Sequence, residues 1–250
     1  MVEFKAALIN EIEKLYKRKK IIVAVIISLV IIIIGQLSMI VLRSGFGLRG
    51  VSSMEFPILV LSVVVNTILP LFTALVTIES FSGEFSQNTM KIALTRPISR
   101  FKFYASKLIA IMLFIIANLL FIMIFSIIAG CLFNSNSATF SSVIKILVSY
   151  IVTLIPMVIL SIIIAFFANI IKSGIGVFFL SIFIFVMFKG LGIVFYRYSG
   201  IFITSMMNWY TLFTMDTVPI LKIFLQFMMM ISYGIIFFTA GYYIFDKKEF

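Results

Sequence analysis

The sequence contains no histidine and only one cysteine, Cys131. Without histidine, the chain lacks the Ser-His and Cys-His pairs of nucleophilic catalysis and the imidazole ligands of many zinc sites. A single cysteine forms no disulfide within the chain, and its place in an apolar run predicts a small buried side chain. We therefore expect neither a catalytic residue nor a metal site in this chain.

Charged residues are also scarce, at 12% of the chain, whereas soluble domains typically have about 25%. Hydrophobic residues make up 63%, and the mean hydropathy is +1.25. This composition indicates an integral membrane protein without a sizeable soluble domain. The net charge of +11 comes from basic residues beside apolar runs. That arrangement favours membrane topology and anionic headgroups over nucleic acid as its explanation.

Two further absences bear on the energy source. No G-x-x-x-x-G-K-[ST] sequence occurs, so the chain cannot cradle ATP phosphates in a P-loop. None of the nine carboxylates lies at the centre of an apolar run, which argues against a proton- or sodium-coupled carrier and against an intramembrane enzyme. Unwound backbone can bind sodium without a carboxylate, however, so an ATP-independent carrier or channel remains the alternative.

What the sequence does contain is long apolar runs. A helix needs about 20 apolar residues to cross the bilayer core, and six such runs occur, near 21–42, 57–79, 108–133, 143–168, 174–195 and 220–245. They do not alternate, which excludes an open barrel. We predict an all-α fold in which residues 1–250 form one transmembrane domain, with the first run retained as a span.

Lys and Arg are concentrated before Ile21 and within residues 80–107. The positive-inside rule then places both termini and the 80–107 segment in the cytoplasm. Segment 196–219 would lie on the outer side. It is rich in aromatic residues and methionine, so it either dips into the outer leaflet as short helices or forms a cap with aromatic residues at the interface.

The first 20 residues have an apolar stripe. Its members, Phe4, Leu8, Ile12 and Leu15, share one face of a helix. This pattern predicts an amphipathic helix on the inner membrane surface. The alternative is an ordinary basic flank that fixes the topology.

Polar residues inside the spans are candidates for the transport path. They are Asn66, Asn118 and Lys189, and each has a structural alternative: helix packing for the two amides and snorkelling to the surface for the lysine. Pro70 is expected to bend the second span because it has no N–H to donate.

The connection after the second span, GEFSQNTMKIALTRPISRFKFYASK, is long and basic. Ser86 can cap a short helix that ends at Arg96-Pro97, because the residue before proline avoids helical geometry. Ser99 can cap a second helix that continues into the third span. We predict a cytoplasmic helical elbow over 80–107.

This stretch resembles the signature of the membrane subunits of type-2 (ABC-2) ATP-binding-cassette exporters. The signature reads G-E-x-x-x-G-T-L-[KR]-x-L-L-[ST]-[RK]-P-[IV]-S-R followed by a small residue and lysine. The matching positions with an expected role in docking are Glu84, Thr89, Met90, Lys91, Leu94, Arg96, Pro97 and Arg100. Asn88 and Ala93 depart from the pattern, where the family has glycine and leucine.

The resemblance implies a coupling helix that docks into a cytosolic ATPase subunit. Glu84 would pair with a polar group of the ATPase, Met90 and Leu94 would fill its apolar cleft, and the two arginines would bind carboxylates or lipid phosphates. It also implies two ATPase copies that bind ATP and Mg²⁺, no cofactor in this chain, and a second permease, expected to be an identical chain. The implied activity is export of an amphipathic substrate, such as an antimicrobial or toxin peptide, across the bacterial plasma membrane.

Overall fold

The computed structural model of the chain is all-α. It describes residues 2–46, 52–86, 98–134, 139–171, 173–195, 200–215 and 217–248. The helices in chain order are α1 (Val2–Tyr16), α2 (Lys19–Phe46), α3 (Phe56–Asn66), α4 (Ile68–Ile78), α5 (Glu84–Ser86), α6 (Arg100–Phe133), α7 (Phe140–Ile170), α8 (Gly174–Val194), α9 (Ile203–Met206), α10 (Thr211–Thr214) and α11 (Ile220–Lys247). A π-helical turn, Glu79–Gly83, joins α4 to α5.

Five of these helices, α2, α6, α7, α8 and α11, are long and apolar enough to cross a membrane. A sixth span results if α3 and α4, with the π-helical turn, are counted as one bent segment. The predicted all-α fold with six spans is confirmed on that count. A chain that crosses lipid must pair its backbone groups within itself, and a helix does so. Long apolar runs therefore identify the spans.

The bend in the second span is the one expected from Pro70. The two halves meet at 47°, with Thr67 between them in a non-helical conformation. Proline has no N–H to donate to the carbonyl four residues earlier, which belongs to Asn66. Lys189 of α8 donates to that carbonyl oxygen instead (Nζ to O, 3.2 Å).

The interior of the bundle is built on α6 and α7. Helix α7 packs against α4, α6 and α11, and α6 packs against α1, α2 and α3. Hydroxyl groups in this interior, such as those of Thr77 and Thr153, donate to the carbonyl four residues earlier, so they need no partner in lipid. Helix α8 is peripheral, and Val177 is its only residue with a buried side chain.

The segment that follows α8 is packed onto the bundle. Helices α9 and α10 contact α7, and α9 also contacts α8 and α11. Trp209 and Tyr210 between them are 4% and 2% exposed. Of the two interpretations of this segment, the structure has the short helices that the first predicted. Trp209 and Tyr210 pack in the interior of the bundle.

Cys131, by contrast, is exposed, so the prediction of a buried thiol is wrong. It follows Gly130, which faces Ser53 closely, and it precedes Leu132, which is 72% exposed. The end of α6 therefore turns its glycine inward and its larger side chains outward.

Gly130 allows this close approach, which gives a test of the packing. A Cβ at Gly130 would overlap the backbone carbonyl oxygen of Ser53, whereas a Cβ at Gly190 meets nothing within 4 Å. We expect Gly130→Ala to cost about 1–3 kcal/mol, the usual range for overpacking. Gly190→Ala should be neutral or stabilising by up to about 1 kcal/mol through helix propensity.

The measurement is the thermal unfolding midpoint in detergent for both variants and the wild type. Equal midpoints for the two alanine variants would contradict the described contact between α6 and residue 53.

Candidate functional site: a buried charge layer

Four charged side chains form a closed ring at one end of the bundle, which we call the charge ring. Lys14 Nζ lies 2.7 Å from Glu11 Oε1 and 3.0 Å from Glu84 Oε1. Lys107 Nζ lies 3.0 Å from Glu11 Oε2 and 2.7 Å from Glu84 Oε2. Each carboxylate thus bridges both ammonium groups, and the charges of the four groups cancel.

Lys107 is the most enclosed member of the ring, with 0% of its surface exposed. An ammonium group has three N–H donors. They find three acceptors, the two ring carboxylates and the Ser80 carbonyl oxygen at 2.8 Å. The centre of the Phe103 aromatic ring lies 4.8 Å from Lys107 Nζ and adds a cation–π contact. A lysine buried this completely is stable only because its partners are complete.

Helix α1 enters the ring through Glu11, which lies between two apolar side chains on the face that contacts α6. Leu15 and Glu11 are 6% and 3% exposed, whereas Ile12 is 37% exposed. The predicted helix exists, but its buried face is rotated from the predicted stripe. Sequence analysis missed Glu11 and Lys107; the available signal was a carboxylate one turn from each of Leu8 and Leu15.

A second set of ion pairs lies beside the ring. Glu79 accepts from Arg18 Nη1 at 2.8 Å and also pairs with Lys20. Glu79 opens the π-helical turn and Glu84 follows it, so the widened turn directs one carboxylate to the start of α2 and the other into the charge ring. Turns of this type are frequent at functional sites.

The other helix ends at this side of the bundle are also closed by hydrogen bonds. Arg100 donates to the carbonyl oxygens of Asp246 and Lys248 at the end of α11. Lys248 Nζ donates to Asn169 O at 2.7 Å and lies 3.6 Å from the centre of the Phe85 ring. The last carbonyls of a helix have no partner within it, and these contacts supply one.

Together, these contacts define the charge layer: the charge ring, the Glu79 pairs and the helix ends held by Arg100 and Lys248. Helix α1, the start of α6 and the end of α11 meet in it. Residues 86 and 98, on either side of the undescribed part of the predicted elbow, adjoin the layer. Ser99 caps α6, as predicted, by accepting from the Lys102 N–H at 3.3 Å.

Most of the predicted docking residues lie outside the described part of the chain. These are Thr89, Met90, Lys91, Leu94, Arg96 and Pro97. Glu84 is described, and it is 4% exposed with both oxygens engaged in the ring. A direct ion pair with an ATPase, the predicted role of Glu84, would require breaking these buried pairs, and that role stays a prediction. Arg100 likewise binds the end of α11.

The structure joins two of the three polar residues predicted within the spans. Besides accepting from Lys189, Asn66 donates from Nδ2 to Asn208 Oδ1 at 2.8 Å. Lys189 therefore bonds within the bundle, and its Nζ also lies 5.5 Å from the Phe185 ring. Asn118 is buried in α6, at 5% exposure, and no hydrogen bond between described residues links it to the other two.

Within the described ranges, no group of three or more His, Cys, Asp or Glu side chains could hold a metal ion.

A family model described as ABC-2 family transporter protein matches residues 7–189, which is more than half of the chain. The chain belongs to the ABC-2 transporter family. No curated protein matches it.

ABC-2 membrane subunits are permeases without an ATPase domain, so the chain is not itself an enzyme. The family carries no cofactor, and ATP is bound by a partner ATPase. The ABC-2 match begins within α1 and ends within α8. It therefore contains the charge ring and the Glu79 pairs, whereas the end of α11 lies outside it.

Lys107 gives the first test of the charge layer. Lys107→Met keeps an unbranched apolar stem but leaves Glu11 and Glu84 buried near each other with one cation fewer. We expect a loss of about 3–5 kcal/mol in stability, the usual cost of removing one partner of a buried pair. Lys102→Met is the matched control, because that side chain is 43% exposed and pairs with Glu3 at the surface.

The readout is thermal denaturation in detergent. Adding Glu84→Gln to Lys107→Met should recover part of the loss by removing the unbalanced charge. Equal effects of the two Lys→Met changes would contradict the ring.

Acid should loosen the attachment of α1. Burial alone would raise the pKa of Glu11, but the charge of Lys107 and the hydrogen bond from Lys14 outweigh it and hold the pKa below the ordinary 4.5. A depressed carboxyl pKa contributes stability that is present above the ordinary value and lost as pH falls through the folded-state value. Burial alone would lower the pKa of Lys14, but its contacts with Glu11 and Glu84 hold the pKa above the ordinary 10.5. The stability that the charged lysine contributes is therefore lost only in strong base.

We therefore expect the unfolding midpoint to be flat from about pH 5 to 9 and to fall below about pH 4. In Glu11→Gln the neutral plateau should be lower and the acid decrease smaller. An acid decrease unchanged in Glu11→Gln would show that other groups cause it.

Proposed function

We propose that this permease exports an amphipathic substrate by coupling to ATP hydrolysis in a separate ATPase subunit. The observation that supports this most is the charge layer at the base of the 87–97 segment. Segment 80–107 carries the family signature, and both of its described ends are fixed to helices that continue into the spans. A force applied to this segment would reach α1, α4, α6 and α11 together.

In this proposal, the contacts with the ATPase come from Thr89, Met90, Lys91, Leu94, Arg96 and Pro97. Glu84 and Arg100 hold the base of the segment, through the charge ring and the end of α11 respectively. A rigid base is required because a docked segment that moved independently of the spans could not transmit the closure of the ATPases.

The proposed complex contains two copies of this chain and two ATPase subunits, each ATPase binding ATP and Mg²⁺. The exposed face of α8 supports a second permease copy. Phe179, Phe183 and Val186 on this helix are 63–66% exposed. The proposed location is the bacterial cytoplasmic membrane, and the charge layer and both termini face the cytoplasm, as the Lys and Arg distribution predicts.

The proposed substrate is an amphipathic peptide, such as an antimicrobial or toxin peptide, since an apolar bundle suits a molecule drawn from the membrane. Asn66 and Lys189 are proposed to contribute the polar part of its path, because they lie together where the second span is broken. Asn118 remains a weaker candidate because it is buried between helices.

An ATP-independent carrier or channel is the second candidate. The broken second span, with a carbonyl accessible to Lys189, is the observation in its favour, because such breaks bind ions in carriers. Family membership and the absence of mid-span carboxylates favour the exporter.

The exporter proposal is tested by co-purification of this chain with the ABC ATPases of its own organism. We expect Leu94→Asp to reduce the retained ATPase by more than about tenfold, as removal of a central apolar contact usually does. Phe140→Asp is the matched control: it makes the same kind of change at an 81% exposed residue at the far end of α7, where no ATPase contact is proposed.

Retention by the wild type and Phe140→Asp, with loss in Leu94→Asp, supports the docking proposal. If the wild type retains no ATPase, or if Leu94→Asp retains as much as the control, the 87–97 segment is not the dock and the carrier must be tested by transport without ATP.

A further inference from the structure

A cavity of about 440 Å³ lies within the apolar part of the bundle. Helices α7, α8 and α11 form its walls, and residues 201–204 close one end. Its lining is almost wholly apolar and includes Ile164, Ile184, Phe188 and Phe237. This volume lies within the usual range of small-ligand sites, about 300–1,000 Å³.

The cavity runs along α8 from the middle of the helix towards its end. On this helix its lining extends from Ser181 to Phe188. Seven residues of helix separate these two levels, about 10 Å at 1.5 Å per residue. A cavity of this length fits within one leaflet of the roughly 30 Å hydrocarbon core.

One polar group at the closed end has no partner. Thr204 is 3% exposed and lines the cavity, and its Oγ1 makes no hydrogen bond. The other hydroxyls of the lining are satisfied, since Ser181 donates to Val177 O and Tyr233 donates to Ile201 O. Seven buried side-chain atoms of the described residues make no hydrogen bond, and that of Thr204 is the one that lines this cavity. It is therefore available to a polar group of a molecule bound in the cavity.

These features discriminate between two kinds of occupant. A peptide would bring a backbone N–H and C=O with every residue, each of which needs a partner in an apolar site. An acyl chain has no hydrogen-bonding group along its length and one carbonyl at its head. We propose that this cavity binds an acyl chain of a membrane lipid, with the ester carbonyl accepting a hydrogen bond from Thr204 Oγ1 and the tail extending along α8 towards Ser181.

The inference does not depend on export or on the ATPase, because it concerns binding by the permease alone. An acyl chain seated here would fix the distance between peripheral α8 and its neighbours α7 and α11. The bound lipid would therefore act as a structural component of this part of the bundle.

The test uses the full chain in detergent with a phosphatidylcholine that carries a diazirine in one acyl chain, followed by irradiation and peptide mapping. We expect label on the lining of α7, α8 and α11. Ile184→Trp fills the cavity and should reduce this label by about tenfold. Ile151→Trp, the matched control, makes the same change at a residue of α7 that is 62% exposed and outside the lining, so it should leave the label unchanged.

Thr204 is tested with a pair of lipids. Thr204→Val should weaken labelling by the diester lipid by about two- to tenfold, the range of one hydrogen bond, and should leave labelling by the matching diether lipid unchanged. Thr214→Val is the control, because that hydroxyl donates to Thr211 O away from the cavity. Size-exclusion profiles identify any variant that fails to fold, and the ester-to-ether ratio of Thr204→Val does not depend on its yield.

Label that persists in Ile184→Trp overturns the proposal. So does label that an amphipathic Leu/Lys model peptide displaces while excess unlabelled diacyl lipid does not, since the cavity would then be a peptide site. Equal effects of Thr204→Val on diester and diether lipids would overturn the assignment of the carbonyl.

Discussion

A buried ammonium group sets the geometry of the charged end of this protein. Lys107 has no exposed surface, so its charge must be neutralised within the chain. Its partners come from α1, from the π-helical turn and from the residue that follows this turn. If any one of these elements moves away, a charge remains buried without its partner. The elements are therefore held as a unit.

Away from the charge layer, hydrogen bonds rather than ion pairs connect the described helices. The polar contacts there gather where helices are interrupted, at the break after Asn66 and in the residues after α8. Lipid cannot satisfy the backbone groups that an interruption exposes, so side chains from other elements must do so. Lys189 and Tyr233 serve in this way, and Asn208 accepts from the side chain of Asn66 at the same break. Thr204 Oγ1 and Trp209 Nε1 are polar atoms there that the described residues leave without a hydrogen bond.

Much of the fold could be predicted from hydropathy because the bilayer demands long apolar helices wherever the chain crosses it. The helix cap at Ser99 and the bend near Pro70 were equally predictable, since both arise from neighbouring residues. The charge ring was not, because Glu11 and Lys107 are 96 positions apart in sequence and no periodicity relates them. The signature around Glu84 drew attention to the segment that contributes to the charge ring, but a motif does not tell whether a carboxylate faces outward or inward.

The break in the second span also has an electrostatic side. Helix α3 ends inside the bundle, and the end of a helix carries roughly half a negative charge from its aligned peptide dipoles. The Lys189 ammonium group lies at this end, 3.2 Å from the last carbonyl oxygen of α3. The lysine in the fifth span is therefore the counter-charge of a helix dipole, and the dipole exists because Pro70 interrupts the second span. A continuous second helix would leave that lysine without the field that stabilises it.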